Sequence, residues 1–154
     1  MMLNMTTMGE TSDQPPVLLA HGLFGSGKNL GGLARRLAAT RRVVSVDMRN
    51  HGDSFWDDDH SYDALASDLA AVIEAEGGTA DFVGHSMGGK AAMWLALTRP
   101  ELVRRLVVVD IAPADYRGLS AFGDYVAAMR AIDTPAVPSS SISRRAAASI
   151  SSGR

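Results

Sequence analysis

Two kinds of hydrophobic pattern alternate along most of the chain. Short stretches at residues 17–20, 42–46, 81–83 and 102–111 are built on Val, Leu and other apolar residues, as strands buried on both faces are. Between them lie amphipathic stretches with helical spacing. Residues 30–39 place Leu30, Leu33, Ala34 and Leu37 on one face, and residues 63–76 do the same with Leu65, Leu69, Val72 and Ile73. A further helix is expected from the 86–91 region through Thr98, stopped by Pro100. A short one is expected over 121–132, with Phe122, Tyr125, Val126, Met129 and Ile132 apolar. Gly77-Gly78 should end the second helix, because glycine tolerates the left-handed conformation found there. Residues 1–14 are polar and Met-rich, and predict a flexible end or a marginal edge strand.

This alternation predicts an α/β fold: a mostly parallel sheet with helices on both faces and right-handed crossovers. In such sheets the loops after the strands collect at one edge, where sites form. His21, Asp47, Ser86 and Asp110 all fall at expected strand ends.

Composition narrows the function classes. The 154 residues are enough for one domain with a real core. A net charge of −2 points to neither nucleic acid nor an anionic membrane as partner. The chain has no cysteine, which removes disulfides, thiolate metal sites and a thiol nucleophile, and no histidine pair has metal-site spacing. The N-terminus lacks the basic and apolar segments of a signal peptide, and no apolar run reaches the roughly 20 residues of a membrane span, so a cytoplasmic location is the expectation. Residues 136–154 change character: seven of these nineteen are Ser, four Ala and three Arg, and none is acidic. The expected organisation is therefore a flexible 1–14, a domain over 15–135 and a low-complexity, disordered tail over 136–154.

The most specific stretch is ADFVGHSMGG, residues 80–89. An apolar run leads into Gly84-His85-Ser86-Met87-Gly88, which fits G-x-S-x-G, and a helix-like run follows. A serine between a strand and a helix sits on a sharp turn with its hydroxyl projecting, beside free helix N–H groups that favour developing negative charge. Ser86 is thus the candidate nucleophile. The Met87 N–H is one candidate oxyanion donor, and the second is expected from the glycine-rich loop after the first apolar run, at Leu23 or Phe24. Such chemistry needs no cofactor and no metal.

Gly22 to Lys28 also fits G-x-x-x-x-G-K, so nucleotide binding is a minor alternative. Asn29 stands where a phosphate loop has the metal-binding Ser or Thr.

Four motifs in order, HGLFGSGKNLGGLARRL, VDMRNHGDS, GHSMGGKAAMWLAL and LVVVDIAPADY, resemble the α/β-hydrolase superfamily. Within it they are similar to small bacterial esterases related to the abhydrolase-domain 11 protein. The resemblance runs from about residue 15 to residue 132. It implies an α/β-hydrolase fold, of which this chain holds the N-terminal part, and serine hydrolysis of acyl esters or thioesters through an acyl-enzyme. It also implies that Asp110, at the end of the strand after the elbow, is the triad acid.

The sequence departs from that pattern in one respect. Such triads run Ser, acid, His, yet the four histidines are His21, His51, His60 and His85, and none follows Ser86. A truncated or frame-shifted end is one expectation. His21 is the candidate substitute base, with support of the oxyanion loop as its other reading. The rival functional reading is a catalytically incompetent domain acting in binding, or in self-association through an exposed sheet edge.

Overall fold

The structure, a computed structural model, describes residues 1–114 and 122–131. Residues 1–112 form one compact unit. Helix α4 (Phe122–Ala131) is described separately, outside that unit. Residues 121 and 132, expected at the ends of that helix, and the whole of the 136–154 segment lie outside the described residues.

The first unit is a five-stranded sheet. In chain order it contains β1 (Met5–Met8), β2 (Val17–Ala20), a 3-10 turn (Gly27–Leu30), α1 (Gly31–Leu37), β3 (Val43–Val46), α2 (Tyr62–Ala75), β4 (Ala80–His85), α3 (Met87–Thr98), a 3-10 turn (Pro100–Leu102) and β5 (Val103–Val109). The spatial order is β1-β3-β2-β4-β5. Only β1 runs antiparallel, pairing Met5 with Val46; the other four strands are parallel. The 1–14 segment therefore contributes an edge strand, the second of the two forms expected for it. The 30–39 helix is shorter than its apolar pattern suggested, because its start is drawn into the tighter 3-10 turn.

The strands alternate between two apolar layers. Leu18, Ala20, Val44, Val46 and Phe82 pack with Leu65, Leu69 and Ile73 of α2 and Ala91, Ala92 and Leu95 of α3. Val17, Leu19 and Val43 point the other way, onto Ala34 of α1. Helices thus cover both faces, and β2, β3 and β4 are buried throughout much of their length. At the far edge β5 leaves Val107 54% exposed.

Several local choices are dictated by residue chemistry. Ser61 caps α2 by accepting the Ala64 N–H. Gly77 and Gly78 end it at φ 115 and 84, and the Gly78 N–H returns to the Ile73 carbonyl at 2.9 Å.

The order of strands decides where a site can form. From β2 the chain moves to β3 on one side; β4 and β5 then lie on the other. The connections leaving β2 and β4 therefore part in opposite directions, opening a crevice at the strands' C-terminal ends. Both glycine-containing motifs of the sequence enter that crevice.

Candidate active site

Ser86 joins β4 to α3 at φ 50, ψ −115, a left-handed backbone for a residue with a Cβ. Such a conformation costs of order 1–3 kcal/mol and persists only where its surroundings over-determine it. Here they do. The Ser86 N–H donates to the Val109 carbonyl of β5 at 3.0 Å, and the Ser86 carbonyl accepts the Lys90 N–H at 3.0 Å to begin α3. The Gly88 N–H donates to the His21 carbonyl at 3.1 Å, tying the helix start to the end of β2.

The glycines make this packing possible. A Cβ at Gly84 would stand 2.6 Å from the Gly88 carbonyl oxygen, and one at Gly88 would stand 2.7 Å from the carbonyl oxygens of Ala20 and His21. Gly22 allows the first loop to approach the serine: a Cβ there would lie 3.1 Å from Ser86 Cβ and 2.9 Å from His85 Nδ1.

The first loop turns at once. The Gly25 N–H donates to the Gly22 carbonyl at 3.0 Å, closing a β-turn with Leu23 and Phe24 in its corners. Phe24 has φ 62, where such turns ordinarily carry glycine. Its N–H donates to His51 Nε2 at 3.3 Å. Of the two loop donors considered for the oxyanion, Phe24 is therefore engaged, whereas the N–H groups of Leu23 and Met87 have no hydrogen-bond partner among the described residues.

Asp110 follows β5 directly, one residue beyond the carbonyl that holds Ser86. It also has positive φ, at 57, and its side chain is 85% exposed. His85 Nε2 lies 3.7 Å from Asp110 Oδ2, too long for a hydrogen bond. The His85 ring and Ser86 Cβ both lie beside Gly22, within 3.1 Å of where a Cβ there would stand.

His21 is almost fully buried, and both its ring nitrogens are engaged. Nε2 accepts the Met48 N–H at 3.0 Å, which leaves the Nδ1–H to donate to the Gly22 carbonyl at 2.7 Å. Burial pulls its pKa down to about 4, against the opposing effect of the Gly22 hydrogen bond. A histidine so held can accept the serine proton only by giving up a backbone bond. This geometry favours loop support over the substitute-base reading.

The loop after β3 is held by side chains of its own. The Asp47 carboxylate accepts the N–H groups of Gly27 at 2.7 Å and Asp53 at 3.0 Å and the Asn4 amide at 2.9 Å. Burial pushes Asp47 up, but these donors outweigh it and hold its pKa below the ordinary carboxylate value. Arg49 makes a two-pronged ion pair with Asp68 of α2, at 2.5 and 2.8 Å, and donates to the Asp59 carbonyl. The Gly27 N–H, a backbone donor that a phosphate loop would turn toward its ligand, is thus spent on Asp47. Among the described residues no group of three or more acidic or histidine side chains is arranged to hold a metal. No described helix is long and apolar enough to cross a membrane.

Comparison with known proteins agrees with this architecture. A family model described as alpha/beta hydrolase fold matches residues 15–145. The chain is 48% identical over 124 residues to the sn-1-specific diacylglycerol lipase ABHD11 of Mus musculus, covering 79% of this chain and 40% of that protein. It is 49% identical over 102 residues to Esterase YbfF of Escherichia coli (strain K12), covering 66% of this chain and 40% of that protein. Among solved structures, a marine microorganism esterase superposes with a TM-score of 0.80 at 38% identity, covering 86% of this chain and 52% of that one. The chain thus spans about two fifths of the length of these curated relatives.

Proposed function

Because the chain belongs to the alpha/beta hydrolase fold family, we propose that it carries the nucleophile and oxyanion parts of a serine-esterase site. Ser86 Oγ attacks the carbonyl carbon of an acyl ester while a histidine takes its proton. The carbonyl oxygen becomes an oxyanion held by the N–H groups of Leu23 and Met87. The C–O bond to the alcohol then breaks, the histidine returns the proton to the departing alkoxide, and water releases the acid from Ser86. Asp110 orients the histidine. The observation that carries this reading is the Ser86 backbone at φ 50, locked by the Val109 carbonyl beside an N–H of Met87 that has no hydrogen-bond partner among the described residues. Esters are the substrate class because the similar proteins are named esterases and lipases.

The base is the open role. His85 is the histidine that this chain offers for it. Its ring lies, like Ser86 Cβ, beside Gly22 and stands 3.7 Å from Asp110, while His21 and His51 use both ring nitrogens elsewhere.

The rival reading is a binding domain without turnover. Hydrolysis of p-nitrophenyl acetate by the full chain and by Ser86→Ala separates the two. Turnover that Ser86→Ala abolishes agrees with the esterase reading; equal rates in both would sink it. Adding His85→Gln asks whether the proton passes to His85.

A further inference from the structure

The loops after β2 and β3 leave adjacent parallel strands, paired through Ala20 and Val46, and each carries a buried histidine one step past a strand or within its first turn. Their hydrogen bonds are reciprocal. His21, on the first loop, accepts the Met48 N–H of the second at 3.0 Å; His51, on the second, accepts the Phe24 N–H of the first at 3.3 Å. Each ring then has its Nδ1–H left to donate to a carbonyl of its own loop, His21 to Gly22 at 2.7 Å and His51 to Arg49 at 2.9 Å. The rings meet edge to face, with centroids 5.2 Å apart and planes at 62°.

We propose that His21 and His51 form a reciprocal clasp that positions the oxyanion turn, His51 holding Phe24 so that the neighbouring Leu23 N–H is left for the substrate. The proposal rests on the esterase reading for its consequence, though the clasp itself can be tested without it. Three features make the arrangement more than packing. Phe24 occupies the left-handed corner of a turn, φ 62, so its peptide needs an outside partner to stay there. That partner is an imidazole nitrogen from the other loop, and the return bond comes from the first loop's own imidazole. Both acceptors require neutral rings, and burial lowers the pKa of both histidines. An apolar replacement at His51 loses both bonds, whereas a glutamine keeps one acceptor and one donor on a single amide.

His51 is a positioning residue, because it acts through Phe24 and touches no reacting atom. Its effect should fall on the transition state, in which the oxyanion exists, and not on substrate binding. A misplacement of about 1 Å costs roughly 10²-fold in rate.

The test uses the full chain with 15N-labelled histidine and backbone. Long-range proton–nitrogen spectra at pH 7 should show both rings neutral, protonated at Nδ1 and bare at Nε2. The Phe24 amide should exchange at least roughly tenfold faster in His51→Phe than in the parent. Either ring protonated at Nε2 would overturn the clasp, as would an unchanged Phe24 exchange rate. In p-nitrophenyl acetate hydrolysis, His51→Phe should lower kcat on the order of 10²-fold with KM within about twofold, and His51→Gln should recover part of it. A parent-like kcat in His51→Phe would refute the positioning role. If the parent shows no Ser86-dependent turnover, the esterase reading fails on its own, and the spectra and exchange rates still decide the clasp. If His51→Phe does not fold, the parent spectra decide it: both rings bare at Nε2 sustain the clasp, and either ring protonated there overturns it.

Discussion

The Ser86 N–H and the Val109 carbonyl meet at 3.0 Å, so the elbow serine and Asp110 leave neighbouring strands at the same level. The nucleophile and acid candidates are thereby fixed relative to each other by the backbone, without any side-chain contact. Asp110 can be changed with little effect on folding, since its carboxylate is 85% exposed. Asp110→Asn should alter stability by less than about 0.5 kcal/mol in urea titration. It should lower Ser86-dependent ester turnover at least roughly tenfold, because an amide orients a histidine poorly and cannot stabilise its charged form. Unchanged turnover would remove Asp110 from the mechanism.

Gly88 faces backbone, which cannot move aside as a side chain can. With the carbonyl oxygens of Ala20 and His21 only 2.7 Å from where a Cβ would stand, Gly88→Ala must displace α3 or β2. A loss of about 1–3 kcal/mol is expected, read as a lower denaturation midpoint. Gly32→Ala is the control: nothing lies within 4 Å of its Cβ position, and the helix should tolerate or welcome the change.

Acid should destabilise the chain before its carboxylates titrate. His21 is neutral in the fold with a pKa of about 4, below its ordinary 6.5, owing first to burial, which outweighs the raising effects of the Gly22 hydrogen bond and the Asp47 carboxylate. Between these two values the unfolded chain binds a proton that the fold refuses. Stability from this residue is therefore complete above about pH 6.5 and is lost as pH falls to about 4, by roughly 3 kcal/mol in total. His51, also lowered by burial, acts in the same direction. Urea midpoints at pH 7.5 and 4.5 measure the loss. A flat profile would mean that His21 is not buried as a neutral ring.

Arg49 and Asp68 are both buried, and removing either strands the other. Asp68→Ala should cost about 3–5 kcal/mol, because the Arg49 guanidinium loses its two-pronged partner and keeps the Asp59 carbonyl, the Phe55 ring and a longer 4.0 Å contact with Asp57. The double variant Arg49→Met, Asp68→Leu should be much closer to the parent, since no uncompensated charge remains. Denaturant titration of the three proteins checks this. Near-equal losses in the single and double variants would assign the effect to packing instead.

Much of the fold was legible because its signals are local. The Val and Leu runs of β2 and β3, the helical stripe of Leu65, Leu69 and Ile73, and the G-x-S-x-G around Ser86 each report a backbone periodicity or a turn that neighbouring residues alone enforce. The identity of the elbow and the edge placement of its strand-end partners followed from that order. Tertiary structure decided what depended on distance between loops. Whether Phe24 or Leu23 keeps its N–H available turns on His51, 27 residues away from Phe24. Whether the His21 ring nitrogens are engaged or available turns on Met48 and Gly22. The repeated pairing of a histidine with a following glycine, His21-Gly22 and His51-Gly52, was the one trace of this in the sequence. Its meaning lies in hydrogen bonds between separate loops. Those bonds are set by the β2–β3 pairing, a contact that no pattern along a single stretch of chain records.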